Sequence, residues 1–158
     1  MDIRYINKDF QFLCRVSCLI FNKDETKVLL FNVTERDFYL IPGGKIRELE
    51  ESLDALKREM KEELGWDKID YSFLGVSEEF VNSKGYNNHQ INLIYKGIYN
   101  DEIKNIEFKG LEGDWINFKW IDINKIDDYN IYPSIVKKMV KNNKKIYHSI
   151  DNLLKKDN

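Results

Sequence analysis

The stretch from Pro42 to Trp66 leaves this chain few ways to fold. Proline removes a backbone donor, and Gly43 and Gly44 permit conformations closed to other residues, so a preceding strand must stop there and the chain must turn. Beyond the turn, apolar residues recur at helical spacing. At about 100° per residue, Leu53, Leu56, Met60 and Leu64 fall within about an 80° arc, and Glu59, Glu62 and Glu63 fall within about 100° beside it. One side of this helix packs and the next gathers carboxylates. Ser52 and Ala55 continue the acidic arc with small side chains, which predicts close approach by a loop or a ligand. Asp54, Lys57 and Lys61 point to water.

A solvated helix with lysine–glutamate pairs accounts for Lys57 and Lys61 but not for the clustering. Three carboxylates brought together repel one another unless a cation sits among them, and Mg²⁺, Mn²⁺ and Ca²⁺ prefer such oxygen-only ligation. The Pro-Gly-Gly turn can add a backbone carbonyl as a further hard ligand.

The segment Gly44–Trp66 resembles the Nudix box, with Gly44, Glu50, Arg58, Glu59, Glu62, Glu63 and Gly65 at the fixed polar and glycine positions. Met60 is an acceptable aliphatic. Trp66 stands where Ile, Leu or Val is usual, and Arg47 and Leu49 depart from an acid and a glycine often found there. The resemblance implies an α/β (α+β) fold, an α/β/α sandwich around a mixed β-sheet, with a second helix near residues 134–141. It also implies a hydrolase that cleaves a diphosphate linkage in a nucleoside diphosphate-linked or nucleoside triphosphate substrate, water attacking phosphorus with Mg²⁺ or Mn²⁺ present.

Carried over by position, Glu59, Glu62 and Glu63, with the carbonyl of Gly43, are implied metal ligands. Arg58 is the implied orienting arginine, pairing with Glu50, which is then structural along with Gly44 and Gly65. The general base is Glu59 or Glu112, the latter in a polar turn before a strand. Arg15, a charge inside an apolar strand, either reaches phosphates or caps a sheet edge in solvent. Tyr39 and Phe80 either stack on a base or belong to the core. The loop expected over residues 82–89 borders the pocket. Neither the proline near position 81 of ADP-ribose hydrolases nor the tyrosine near 82–84 of diadenosine polyphosphate hydrolases is present, which lowers those options. The alternative is a catalytically silent Nudix-fold ligand-binding or sensor module, which loss of box acids would signal; all are retained.

The remainder of the chain sets limits on this reading. At 158 residues, 42% apolar and 33% charged, it fits one globular domain, and a net charge of −2 gives no global attraction to nucleic acid or anionic membrane. A small nucleotide-like substrate, no nucleic acid, no membrane, and a monomer or homodimer are expected. Cys14 and Cys18, four apart on a strand, cannot bridge each other, and the apolar run Leu13–Phe21 is broken by Arg15 and Ser17, unlike an export segment. A cytoplasmic location is expected. Strands are predicted over 13–21, 27–33, 38–41, 71–81, 90–99 and 115–122. Residues 1–142 form the expected catalytic domain, and 143–158 an amphipathic helical extension, with Ile146, Tyr147, Ile150, Leu153 and Leu154 on one side. The lysines between 137 and 145 read as a solvated face.

Overall fold

In the computed structural model, which describes residues 1–154, the chain alternates long strands with two helices. In order these are β1 (Arg4–Asn7), β2 (Phe10–Asn22), β3 (Lys27–Val33), β4 (Gly43–Lys45), α1 (Ser52–Leu64), β5 (Ile69–Ser83), β6 (Tyr86–Tyr99), β7 (Glu107–Gly110), β8 (Gly113–Asp122), a 3₁₀ turn (Ile123–Asp128), α2 (Val136–Lys141) and β9 (Tyr147–Asn152). The strands form one mixed sheet in the order β7-β8-β3-β2-β6-β5-β9, with β1 and β4 also paired to β2. Only β2/β6 and β5/β9 run parallel. All thirteen residues of β2 pair with β6, while its other edge is shared by β1, β4 and β3.

Alternation along β2 divides the core in two. Val16, Cys18 and Ile20 pack with Ala55, Leu56 and Met60 of α1. Leu19 and Phe21 face the other way, against Val136, Met139 and Val140 of α2. The helices therefore lie on opposite faces of a mixed sheet, as the sandwich requires. Burying Leu56 and Met60 completely contributes about 1.5–3 kcal/mol each, ample to dock α1. Both cysteines are free thiols.

Several expected elements differ. Residues 38–41 form no strand, only single bridges from Leu40 to Phe31 and from Tyr39 to Ile131, because the chain must swing toward Pro42. Residues 82–89 are not an open loop. β5 and β6 continue to a tight turn at Lys84–Gly85, and His89 lies inside β6. The expected helix over 143–158 is corrected: Tyr147–Asn152 is strand β9, paired in parallel with Gly75–Phe80, and residues 155–158 lie outside the described residues. The helical spacing of its isoleucines lost to the unpaired edge of β5, whose backbone donors and acceptors needed partners. Ser52 and Ala55 admit the sheet rather than a ligand: Ala55 is fully buried, and the Ser52 hydroxyl is 2.7 Å from that of Tyr95. Among the described residues no helix is long and apolar enough to cross a membrane.

Candidate active site

The glycines of the turn let the sheet and the box helix meet. β4 pairs with β2 so closely that a Cβ on Gly43, at φ +148°, would lie 2.2 Å from the Val16 carbonyl oxygen. A Cβ on Gly44 would lie 2.1 Å from the Glu59 carboxyl carbon. The first glycine is thus required by the backbone, the second by the acidic side chain. At the far end, Gly65 caps α1 in a left-handed conformation, with its N–H bonded to the Lys61 carbonyl.

Arg58 binds the entry turn to the helix. Its Nε and Nη2 donate to the two oxygens of Glu50 at 2.8 and 3.0 Å, Nη2 also reaches the Lys45 carbonyl at 3.0 Å, and Nη1 donates to Glu59 at 2.6 Å and Glu62 at 3.2 Å. Glu50 in turn accepts from the Arg47 N–H at 2.9 Å. The Arg58 hydrogen bonds hold the Glu50 carboxyl down from 4.5 to about 2. Because this folded value lies below the unfolded one, the stabilisation is complete above about pH 4.5 and is lost as pH falls toward 2. Glu50→Gln is therefore expected to melt below the wild type at pH 7, the gap closing between pH 4.5 and 2. A pH series of thermal melts checks this, and a constant gap would mean the bond does not depend on the ionised carboxyl.

Three acids, Glu59, Glu63 and Glu112, lie near enough for the charge of Glu112 to act on the other two. Glu63 is 7% exposed and accepts the Gly43 N–H at 3.3 Å. Burial, followed by the charges of Glu59 and Glu112, pushes it up to about 8. Glu59 is also raised, chiefly by burial, against the opposing bond from Arg58. Glu112 comes from the β7–β8 turn, which is tied down where the Leu111 N–H donates to the Glu63 carbonyl at 2.9 Å. Glu62 is more exposed, between Arg58 and Arg47. Among the described residues no three Asp, Glu, His or Cys side chains are set as a ready metal cage, because Arg58 lies against Glu59 and Glu62. The donor chemistry nevertheless fits a hard cation. The set is all-oxygen and anionic, and it includes the buried Glu63 and the half-buried Glu59, whose ionisation is opposed first by burial and then by neighbouring carboxylates.

The remaining expected contacts divide. Arg15 lies close enough to both Glu63 and Glu79 for its charge to favour their ionised forms. Tyr39 packs edge-on against Tyr129 at 5.3 Å, beside the α2 core. Phe80 stacks on His89 at 4.4 Å and, as a strand neighbour of Glu79, faces the opposite side of the sheet from it. Sequence reasoning missed Glu79, only 2% exposed, which accepts from Gln90 at 2.6 Å and Asn92 at 3.1 Å. No local signal singled it out: its strand neighbours Glu78 and Phe80 are half-buried, and Gln90 and Asn92 come beside it only through the pairing of β5 with β6.

A family model described as NUDIX domain matches residues 13–148. Over 52 residues, 33% of this chain, the sequence is 46% identical to mRNA-decapping enzyme subunit 2 of Saccharomyces cerevisiae. That match spans 5% of the yeast protein's length. The mutator MutT protein from Bacillus halodurans superposes with a TM-score of 0.65 at 16% identity, covering 89% of this chain and 91% of that one. The dihydroneopterin triphosphate pyrophosphohydrolase of E. coli gives a TM-score of 0.64 at 17% identity, over 81% of this chain and 92% of that one. At such identities the likeness is one of fold.

Proposed function

The chain belongs to the Nudix hydrolase family, and from that premise we propose that it is a cytoplasmic enzyme hydrolysing the diphosphate linkage of a small nucleotide-like substrate. The observation that carries this reading is that Glu59 and Glu63 face the Gly43–Gly44 turn while the turn that carries Glu112, some fifty residues away, is bonded to the Glu63 carbonyl.

In this reading Glu59, Glu62 and Glu63 hold Mg²⁺ or Mn²⁺, with the Gly43 carbonyl as a further oxygen. The ion supplies positive charge against phosphate oxygens and acidifies water. Arg58 keeps Glu59 turned toward Gly44 through its 2.6 Å bond. Arg15 holds a phosphate, and Glu112 or Glu59 takes the proton from the attacking water. Each base candidate is in reach of the same acidic cluster. The shared segment with the decapping enzyme favours testing a cap-like dinucleotide as well.

The test is a panel of nucleoside triphosphates, nucleotide sugars, dinucleoside polyphosphates and a methylated cap dinucleotide, incubated with Mg²⁺ or Mn²⁺ and assayed for phosphate or mononucleotide. Turnover that disappears on chelation is expected. Binding without turnover throughout would establish the silent-module alternative instead. Metal alone is expected to raise the melting temperature. At roughly ten times its Kd, linkage adds about 1.4 kcal/mol, or about 3–5 °C for a domain of this size. An unchanged melt in millimolar Mg²⁺ and Mn²⁺ would remove the metal site.

A further inference from the structure

Strand β9 ends the sheet, and its outer side meets no other strand among the described residues. Its odd-numbered residues turn their backbone groups to β5: the Leu153 N–H donates to the Phe80 carbonyl at 2.8 Å, and a Cβ on Gly75 would lie 2.3 Å from the Tyr147 carbonyl oxygen. Backbone groups alternate in direction along a strand, so the N–H and C=O of His148 and Ile150 point outward.

Lysine, proline, a bulge or mere shortness protects an edge strand from pairing with another chain. The other strands that pair on one side only carry such features. β7 has four residues, holds Glu107 and Lys109 and is interrupted by a bulge, and β1 has four residues beginning with Arg4. β9 has six residues with no lysine, arginine or proline, and its register against β5 is unbroken. Its one acid, Asp151, is turned to Ser134, from which it accepts the N–H at 2.8 Å and the hydroxyl at 2.7 Å. Ile150 and, just before the strand, Ile146 are 63% and 66% exposed.

Whatever covers this edge must bring a strand of its own and matching charge, and a second copy of the chain brings both. Positive charge precedes β9 at Lys144 and Lys145, the latter 5.0 Å from the Tyr147 ring, and negative charge lies near its end at Asp151. Parallel stacking would set lysine on lysine. Antiparallel pairing about a two-fold axis sets the lysine end of each copy against the acidic end of the other. With Ser149 on the axis, Tyr147 stands opposite Asp151 of the other copy and His148 opposite Ile150, and each His148–Ile150 pair exchanges both of its outward hydrogen bonds. A net charge of −2 leaves little repulsion between copies.

We propose that β9 is a homodimer interface, at which two copies join antiparallel into one continuous sheet. A strand pair buries less than about 1,000 Å², so the dimer is weak and reversible, with a Kd on the order of 10 µM.

Sedimentation velocity of the full chain from about 1 to about 300 µM measures the association. A monomer–dimer equilibrium with no larger species is expected, because a two-fold pair closes on itself. Ile150→Pro removes only an outward N–H and sets a ring on the edge, so it is expected to melt near the wild-type temperature and to weaken association at least about twentyfold. If the proline loosens β9, Ile150→Lys decides, placing like charges on either side of the axis with the same expected loss. Lys145→Glu is expected to weaken association about threefold in low salt, the difference disappearing in about 0.5 M salt. Tyr5→Lys, on β1, leaves association unchanged. A monomer throughout the range, open-ended assembly, a dimer that survives Ile150→Lys, one indifferent to Lys145→Glu, or one abolished by Tyr5→Lys overturns the proposal.

Discussion

Glu63→Gln is expected to lower the hydrolysis rate at saturating Mg²⁺ by about 100-fold or more, with the fold intact. The substitution keeps volume and helix propensity while replacing an anionic ligand by a neutral amide. The amide binds the cation more weakly, and the charge available to stabilise phosphoryl oxygens declines with it. Folding survives because the buried position no longer opposes a charge. The carboxyl is pushed up to about 8 by burial and its acidic neighbours, a destabilising environment that the amide escapes. The variant should therefore melt at or above the wild-type temperature without metal and gain less from added Mg²⁺. Glu59→Gln behaves similarly in rate. Lys57→Gln and Lys61→Gln, exposed on the other side of α1, leave turnover within about twofold. Steady-state rates with circular dichroism compare the four, and equal near-wild-type rates would reduce the helix to a structural element.

The two turn glycines are expected to separate folding from turnover. In Gly43→Ala the new methyl meets the Val16 carbonyl oxygen at 2.2 Å in a backbone conformation, φ +148°, that L residues rarely adopt. Backbone cannot yield as a side chain does, so about 3 kcal/mol of stability is lost and β4 parts from β2. In Gly44→Ala the clash is with the Glu59 carboxyl, the far end of a side chain. The carboxylate moves and the fold holds, with melting lowered by only a few degrees. Turnover falls by about 100-fold, since displacement of a reacting group by an ångström is enough. Denaturant titration and rate measurements on both variants check the contrast. If Gly44→Ala keeps its full rate, Glu59 does not act from the position seen here.

The box helix was legible because its two stripes are written at one spacing and no long-range contact competes with them. β2, β3, β5, β6 and β8 were legible too, being long and alternating or continuously apolar. β9 was not: Tyr147, Ile150 and Leu154 are compatible with a helix until the vacant edge of β5 is known. Glu112 could be named as an acid on a turn, but its approach to Glu63 depends on the Leu111 tether, which joins residues 48 apart by a backbone bond. Backbone bonds leave no residue signature. Glu79 was overlooked for another reason. One glutamate in a strand reads as solvent-facing, and only the pairing of β5 with β6 puts Gln90 and Asn92 beside it. For Tyr39 and Phe80 residue type alone admits a ligand, and their ring contacts with Tyr129 and His89 are equally invisible in the sequence.

Strand β2 is bonded along both edges to four other strands, and it carries Arg15 and Ser17 as well as residues of both cores. Amide hydrogens in its middle can exchange with solvent only through an opening that also dismantles β4, the seat of α1 and the seat of α2. Loosening at the periphery, in β7 or β9, leaves that middle protected. The Pro42–Gly44 turn thus inherits the slowest-exchanging part of the molecule as its foundation, and any motion near the acidic cluster must come from elsewhere, such as the β7–β8 turn that carries Glu112.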